Sequence, residues 1–275
     1  MTAHPPRVDK LALTQRVALF GLLGWLGVLA FPILFQAVPA GLLVTSALST
    51  FAAGAVANAV TARIYEHGRL ADFGLAKSPT ASKEFLRGVT TGAGAALAVL
   101  GAPLILRVAT LDRSPAAAQP WAAIPVIMIS LLFGAAGEEL LFHGYGFQLL
   151  VRSMGAFATI LPVGVIFGLA HLGNQNATVL GIVNTLAWGV LLGYAYWRSE
   201  ALWLPIGMHF GWNATLPLLG ANLSGFTMGL TGFALHWSVG NLWSGGDYGP
   251  EGSLLTTLAV IALFLLVTRF SRKPE

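Results

Sequence analysis

Two adjacent glutamates stand in one of the most apolar stretches of this 275-residue chain. Glu138 and Glu139 lie in "GEELLFHG" (137–144), which follows the uncharged run "IPVIMISLLFGAA". His143 comes four residues after Glu139, a spacing that places both side chains on one face of a helix. Because two neighbouring carboxylates are costly to bury, they must have partners, and acids in such a setting indicate a functional site.

Two further histidines lie in apolar segments. His171 ends "FGLAH", and His209 opens "HFGWN", in which Asn213 lies one helical turn further along the same face. Asn58 and Asn184 are the other notable polar residues in apolar segments, and we interpret both as packing hydrogen bonds. The glutamates, the three apolar-segment histidines and Asn213 therefore form the candidate site.

This inventory favours hydrolysis of an amide bond by an activated water. A carboxylate can deprotonate water, and a histidine can help to hold it. A second histidine and an asparagine amide can donate hydrogen bonds to a developing oxyanion. The chain has no cysteine, hence no thiolate nucleophile, and it lacks an HExxH helix, a Gly-x-Ser-x-Gly turn and a pair of membrane aspartates.

The composition is that of an integral membrane protein. Hydrophobic residues make up 56% of the chain and charged residues 9%, whereas a soluble domain carries roughly a quarter charged residues. Mean hydropathy is +0.74 and the pI is about 9.7. In a membrane protein a net charge of +4 reflects basic loops, so we expect the lipid bilayer as surroundings and no nucleic acid partner.

The hydrophobic pattern predicts an all-α fold, a polytopic membrane helical bundle of about eight transmembrane helices. We place them near 16–37, 40–62, 85–106, 121–149, 157–173, 178–197, 201–220 and 254–270. Residues 220–253 are predicted to be a Gly-rich loop. The chain shows no internal repeat and no soluble insertion, so residues 1–275 are interpreted as a single integral-membrane domain.

Lysine and arginine residues predict the orientation. With eight spans, thirteen of the fifteen basic residues fall on the side of the two termini. Arg107 and Arg113 are the two on the other side. Because basic loops stay in the cytoplasm, we expect a multi-pass protein of the cell membrane with both termini cytoplasmic.

Glycines four residues apart predict close helix packing. Small residues at this spacing allow two helix backbones to approach each other in lipid. The pairs are Gly88/Gly92, Gly164/Gly168, Gly189/Gly193 and Gly207/Gly211.

The three motifs "EELLFHG", "FGLAH" and "HFGWN" resemble those of the CPBP intramembrane proteases, the type II CAAX prenyl endopeptidases and their bacterial relatives linked to bacteriocin processing or immunity. The family pattern is Glu-Glu-x-x-x-Arg, then Phe-x-x-x-His, then His-x-x-x-Asn or Asp. The resemblance implies a CAAX-protease-like core at about residues 120–220. It also implies an intramembrane endopeptidase that acts on a membrane-associated peptide or protein.

The resemblance also implies a role for each matching residue. Glu138 would be the general base, and His171 would help to hold the catalytic water. His209 and Asn213 would form the oxyanion site, and Glu139 would be structural.

His143 stands where the family has arginine, so it would support Glu139 without a permanent charge. We therefore expect greater pH sensitivity. A mechanism without cofactor is favoured, although Glu138, His171 and His209 could also ligate zinc.

Two other functions are compatible with the sequence. A non-proteolytic relative, acting as a membrane scaffold or immunity protein, is favoured by the histidine at position 143. A proton-coupled transporter could use the glutamates and histidines as a relay, but the absence of an inverted repeat disfavours it. The substrate, including whether it is prenylated, does not follow from the sequence.

Overall fold

The computed structural model describes residues 9–36, 41–113 and 118–270. Helices dominate this part of the chain, which confirms the predicted all-α membrane bundle. The helices are α1 (Lys10–Phe35), α2 (Gly41–Tyr65), α3 (Ala81–Ile105), α4 (Ala123–His143), α5 (Tyr145–Met154), α6 (Ala156–Ala170), α7 (Val179–Ser199), α8 (Trp203–Leu218), α9 (Asn241–Ser244) and α10 (Leu254–Thr268).

Several of these helices are long and apolar enough to cross a membrane. Among the described residues they number five: α1, α2, α3, the α4–α5 segment and α7. Helices α6 and α10 are apolar but have only 15 residues each. Large apolar side chains such as Trp25 and Ile33 are 60% and 68% exposed, as a surface facing lipid requires. The chain is therefore a multi-pass membrane protein, while the number of eight spans stays a prediction.

The predicted span 121–149 is interrupted, and the interruption lies beside the candidate site. Helix α4 ends at His143, and α5 begins at Tyr145. The buried Asn58 of α2 donates to the Leu140 carbonyl at 2.8 Å and accepts from the Tyr145 N–H at 2.7 Å. A Cβ atom at Gly144 would meet the Asn58 side chain at 2.3 Å, so only glycine fits there. Asn58 is thus a packing residue, as predicted, and it stabilises a break that the hydrophobic pattern did not predict.

Three of the four glycine pairs bring helix backbones into contact, as predicted, whereas Gly189 and Gly193 contact side chains. A Cβ atom at Gly88 would lie 2.3 Å from the Leu204 carbonyl oxygen, and one at Gly207 would lie 2.2 Å from the Phe85 oxygen. Helices α3 and α8 therefore pack without side chains between them. A Cβ atom at Gly164 would likewise meet Val190, which draws α6 against α7. These contacts fix the two helices that carry the second and third motifs.

The predicted Gly-rich loop at 220–253 contains regular structure. Its strand β2 (Phe233–Trp237) pairs antiparallel with β1 (Ala109–Arg113), so the expectation of a loop alone was wrong. The end of the loop is attached to the bundle through Asn184 of α7, which donates to the Glu251 and Ser253 carbonyls at 2.8 and 2.9 Å. Asn184 therefore makes packing hydrogen bonds, as predicted, and they bring Glu251 into the helical bundle.

Candidate active site

The three motifs meet around one small cavity. Helix α4 supplies Glu138, the end of α6 supplies His171, and α8 supplies His209. The Glu138 Oε2 atom lies 3.6 Å from His171 Nε2 and 3.8 Å from His209 Nε2. The cavity that all three line has a volume of about 50 Å³, which is room for a few water molecules.

Glu139 faces away from this cavity and is completely buried between two histidines. Its Oε2 atom lies 2.7 Å from His143 Nδ1, and its Oε1 atom lies 2.9 Å from His209 Nδ1. His143 is also fully buried. Since a carboxylate only accepts hydrogen bonds, we assign a proton to Nδ1 of both rings. Glu139 therefore fixes the orientation of His209, and His143 provides its second donor.

The tautomer of His171 is fixed by its own helix. Its Nδ1 atom lies 2.7 Å from the Phe167 carbonyl oxygen, four residues earlier, and can only donate to it. In the neutral ring Nε2 is then an acceptor, and it points toward Glu138. The Phe167 ring packs against His171 with centroids 4.8 Å apart. The motif Phe-x-x-x-His thus holds one imidazole lone pair on the cavity wall.

A carboxylate oxygen and an imidazole nitrogen 3.6 Å apart can share a proton donor that binds beside both of them. Glu138 Oε2 has no hydrogen-bond partner among the described residues, and its separation from His171 Nε2 exceeds a hydrogen bond. A water molecule can donate one proton to each acceptor, and the cavity has room for it. The arrangement is therefore suited to binding water beside a carboxylate, which can act as a general base.

Asn213 lies on the same cavity, one helical turn after His209. Its amide can donate to a group inside the cavity, whereas the carboxylates cannot. The structure thus brings Glu138, His171, His209 and Asn213 to one cavity, with Glu139 directly behind. Their chemical roles stay predictions.

Glu251 is a site residue that sequence reasoning missed. It lies in the loop before α10, yet it lines the same cavity as Glu138. Its Oε1 atom accepts from Trp212 Nε1 at 3.1 Å, and its Oε2 atom accepts from the Ser224 N–H and hydroxyl at 2.5 and 3.0 Å. Burial raises the pKa of the Glu251 carboxyl, although the donors from Ser224 and Trp212 oppose the shift. The sequence "GPEGS" carries no local signal for this position.

The described lining of the cavity contains two acids and no lysine or arginine. Among the lining side chains, positive charge can therefore come only from protonated His171 and His209. Within the described residues, no group of three His, Cys, Asp or Glu side chains is arranged to hold a metal ion. Glu138, His171 and His209 remain the side chains that would bind zinc if it were present.

The fold and the site define a polytopic helical membrane protein with a buried glutamate–histidine centre. Residues 120–215 match the family described as Type II CAAX prenyl endopeptidase Rce1-like, which confirms the resemblance to the CPBP intramembrane proteases for this segment. The matched segment contains all three motifs. The comparison with curated proteins gave no match.

Proposed function

We propose that this protein is an intramembrane endopeptidase that hydrolyses peptide bonds with a water activated by Glu138. The proposal is carried by the pair of acceptors, Glu138 Oε2 and His171 Nε2, 3.6 Å apart on a cavity of water size. The family match supports the reaction class, because that family is described as an endopeptidase family.

The residues can hydrolyse a peptide bond by direct attack of water, without a covalent enzyme intermediate. Glu138 takes a proton from the water, and the resulting hydroxide attacks the carbonyl carbon of the scissile peptide bond. The developing oxyanion accepts hydrogen bonds from the Asn213 amide and from His209 Nε2. Glu138 then gives its proton to the leaving nitrogen as the C–N bond breaks. The products are a carboxylic acid and an amine.

Glu139 has a positioning role in this mechanism. The Nδ1–H of His209 is directed at Glu139 Oε1, 2.9 Å away. His209 can therefore donate from Nε2 only when both of its nitrogens carry protons. A carboxylate behind the ring stabilises that cation. His143 donates to the second Glu139 oxygen, so one oxygen is left to accept from His209.

We propose that the substrate is a membrane-associated peptide or protein and that the whole chain, residues 1–275, acts as one membrane domain with its catalytic core near 120–220. Both termini lie in the cytoplasm in this proposal, because thirteen of fifteen basic residues then lie inside. The loop that contributes Glu251 is then on the external side. The family description names prenyl substrates, but the mechanism needs only an accessible peptide bond.

Cleavage of a peptide library by the purified protein tests this function. We expect Glu138→Gln and His171→Ala to remove nearly all cleavage, and Asn213→Ala to reduce kcat by about 10²–10³-fold, as for loss of one oxyanion donor. Asp112→Asn is the matched control, since Asp112 is 68% exposed on β1, in the segment before α4. Full cleavage by the Glu138→Gln variant would contradict the mechanism.

Treatment with a chelator shows whether Glu138, His171 and His209 act directly on the water or bind zinc. Cleavage that is unchanged after chelation supports the glutamate mechanism without metal. Cleavage that is lost and then restored by added zinc would assign Glu138, His171 and His209 as ligands. No cleavage of any peptide by the wild-type protein would favour the non-proteolytic alternative.

A further inference from the structure

The cavity wall carries a hydrogen-bond donor that no motif includes. Trp188 lies on the face of α7 that lines the cavity, together with Thr185 and Leu192. Only 7% of Trp188 is exposed, and its Nε1 atom has no hydrogen-bond partner among the described residues. A buried donor without a partner is costly, and such groups in a native fold require an explanation.

Among the described residues, the neighbouring Trp212, unlike Trp188, has an acceptor for its indole N–H. Trp212 of α8 packs against Trp188 with ring centroids 5.0 Å apart, and its own Nε1 donates to Glu251 Oε1 at 3.1 Å. Glu251 in turn accepts from Ser224. This chain of contacts holds the pair of rings in place. The Trp188 N–H, by contrast, has no acceptor in the protein within the described residues.

We infer that Trp188 Nε1–H binds the scissile carbonyl of the substrate and acts as a further donor to the oxyanion. A volume of about 50 Å³ admits a carbonyl group and a water rather than a folded segment. The partnerless donor of Trp188 and the partnerless acceptor, Glu138 Oε2, both belong to residues that line this cavity. An attacking water needs the acceptor, and a developing oxyanion needs the donor.

This donor differs chemically from the imidazole of His209 and resembles the amide of Asn213 in not titrating. An indole N–H is a donor in every protonation state, whereas His209 Nε2 donates only when its ring is doubly protonated. Trp188 therefore supplies a donor that does not depend on pH. The inference rests on the proposed endopeptidase function.

Two substitutions at position 188 separate the N–H from the packing of the ring. Both Trp188→Phe and Trp188→His replace the two fused rings of the indole by one ring, but histidine keeps a ring N–H at the position equivalent to Nε1. We expect Trp188→Phe to lower kcat by about 10²-fold with KM changed by less than about threefold, because an oxyanion donor acts in the transition state. Trp188→His should retain at least about one tenth of the wild-type kcat.

Trp203→Phe is the control for loss of an indole N–H elsewhere, because Trp203 Nε1 donates to the Ala76 carbonyl at 3.2 Å. It should leave kcat unchanged. Equal kcat values for Trp188→Phe and Trp188→His would overturn the inference and leave the proposed function intact. A rise in KM without a fall in kcat would also overturn it. If the wild-type protein cleaves nothing, the proposed function fails and this inference fails with it.

Discussion

Substitution by glutamine should destabilise the protein at Glu139 but not at the adjacent Glu138. Glu139 is fully buried and both of its oxygens accept hydrogen bonds from histidines. An amide offers one acceptor oxygen, so Glu139→Gln leaves one Nδ1–H without its acceptor. Loss of a hydrogen bond to a charged group should lower the free energy of unfolding by about 1.5–3 kcal/mol.

Glu138→Gln should leave the free energy of unfolding within about 0.5 kcal/mol of the wild type. Its Oε2 atom has no hydrogen-bond partner among the described residues, and 28% of its side chain is exposed. The substitution also removes a charge adjacent to the buried Glu139. Glu138→Gln therefore serves as the stability control for Glu139→Gln, while it is itself expected to remove cleavage.

A double-mutant cycle extends the test to the partner of Glu139. His143→Leu removes the donor to Glu139 Oε2 and should lower the free energy of unfolding by a similar amount, about 1.5–3 kcal/mol. The double variant, Glu139→Gln with His143→Leu, should lose less free energy of unfolding than the two single variants together. Without His143, the one amide oxygen of the introduced glutamine needs to accept only from His209.

Unfolding by SDS in mixed micelles, followed by tryptophan fluorescence, gives the four free energies. Equal stabilities of Glu138→Gln and Glu139→Gln, or strict additivity in the cycle, would refute this account of the pair.

The remaining predictions concern packing, ionisation and topology. Gly207→Ala should lower the free energy of unfolding by about 1–3 kcal/mol through overpacking against Phe85, whereas Gly94→Ala in α3, with no atom near its Cβ position, should not; the same SDS titration tests both. Burial raises the pKa of Glu251 above its ordinary value of 4.5. Between pH 4.5 and the raised pKa of the folded protein, unfolding therefore releases a proton, and the free energy of unfolding decreases as the pH rises. The free energy of unfolding of the Glu251→Gln variant should decrease less over the same pH range. A larger decrease would contradict the raised pKa of Glu251. A reporter fused after residue 275 should be cytoplasmic and one inserted near Gly245 external, and the reverse result would overturn the orientation.

Much of the architecture follows from the hydrophobic pattern because lipid requires long apolar helices. The glycine pairs predicted close helix packing without indicating which helices meet, and the structure shows it between α3 and α8. The membrane acids and histidines were equally visible, because polar residues are rare in apolar segments. Their grouping at one cavity is a tertiary fact that the sequence indicates only through the three motifs.

Other features depend on partners distant in the chain and could not be predicted from local patterns. The break at Gly144 is fixed by Asn58 from α2, although the hydrophobic run continues through it. The pairing of β1 with β2 joins segments on either side of five helices. Glu251 reaches the cavity because Asn184 attaches its loop to α7. An acid in a Gly-rich segment resembles any solvated loop residue until that contact is known.

The histidine at position 143 changes how the charge of Glu139 is balanced. The described cavity lining has no lysine or arginine, and the second donor to Glu139 is an imidazole rather than a guanidinium. A histidine is a cation only when protonated, whereas an arginine is always charged. The other oxygen of Glu139 accepts from His209 Nδ1, and in the proposed mechanism the Nε2–H of the same ring donates to the oxyanion. His143 occupies the remaining oxygen of that carboxylate. The residue that departs from the family pattern therefore shares the Glu139 carboxylate with His209, and under the proposed function we expect cleavage to depend more strongly on pH than it would with an arginine at position 143.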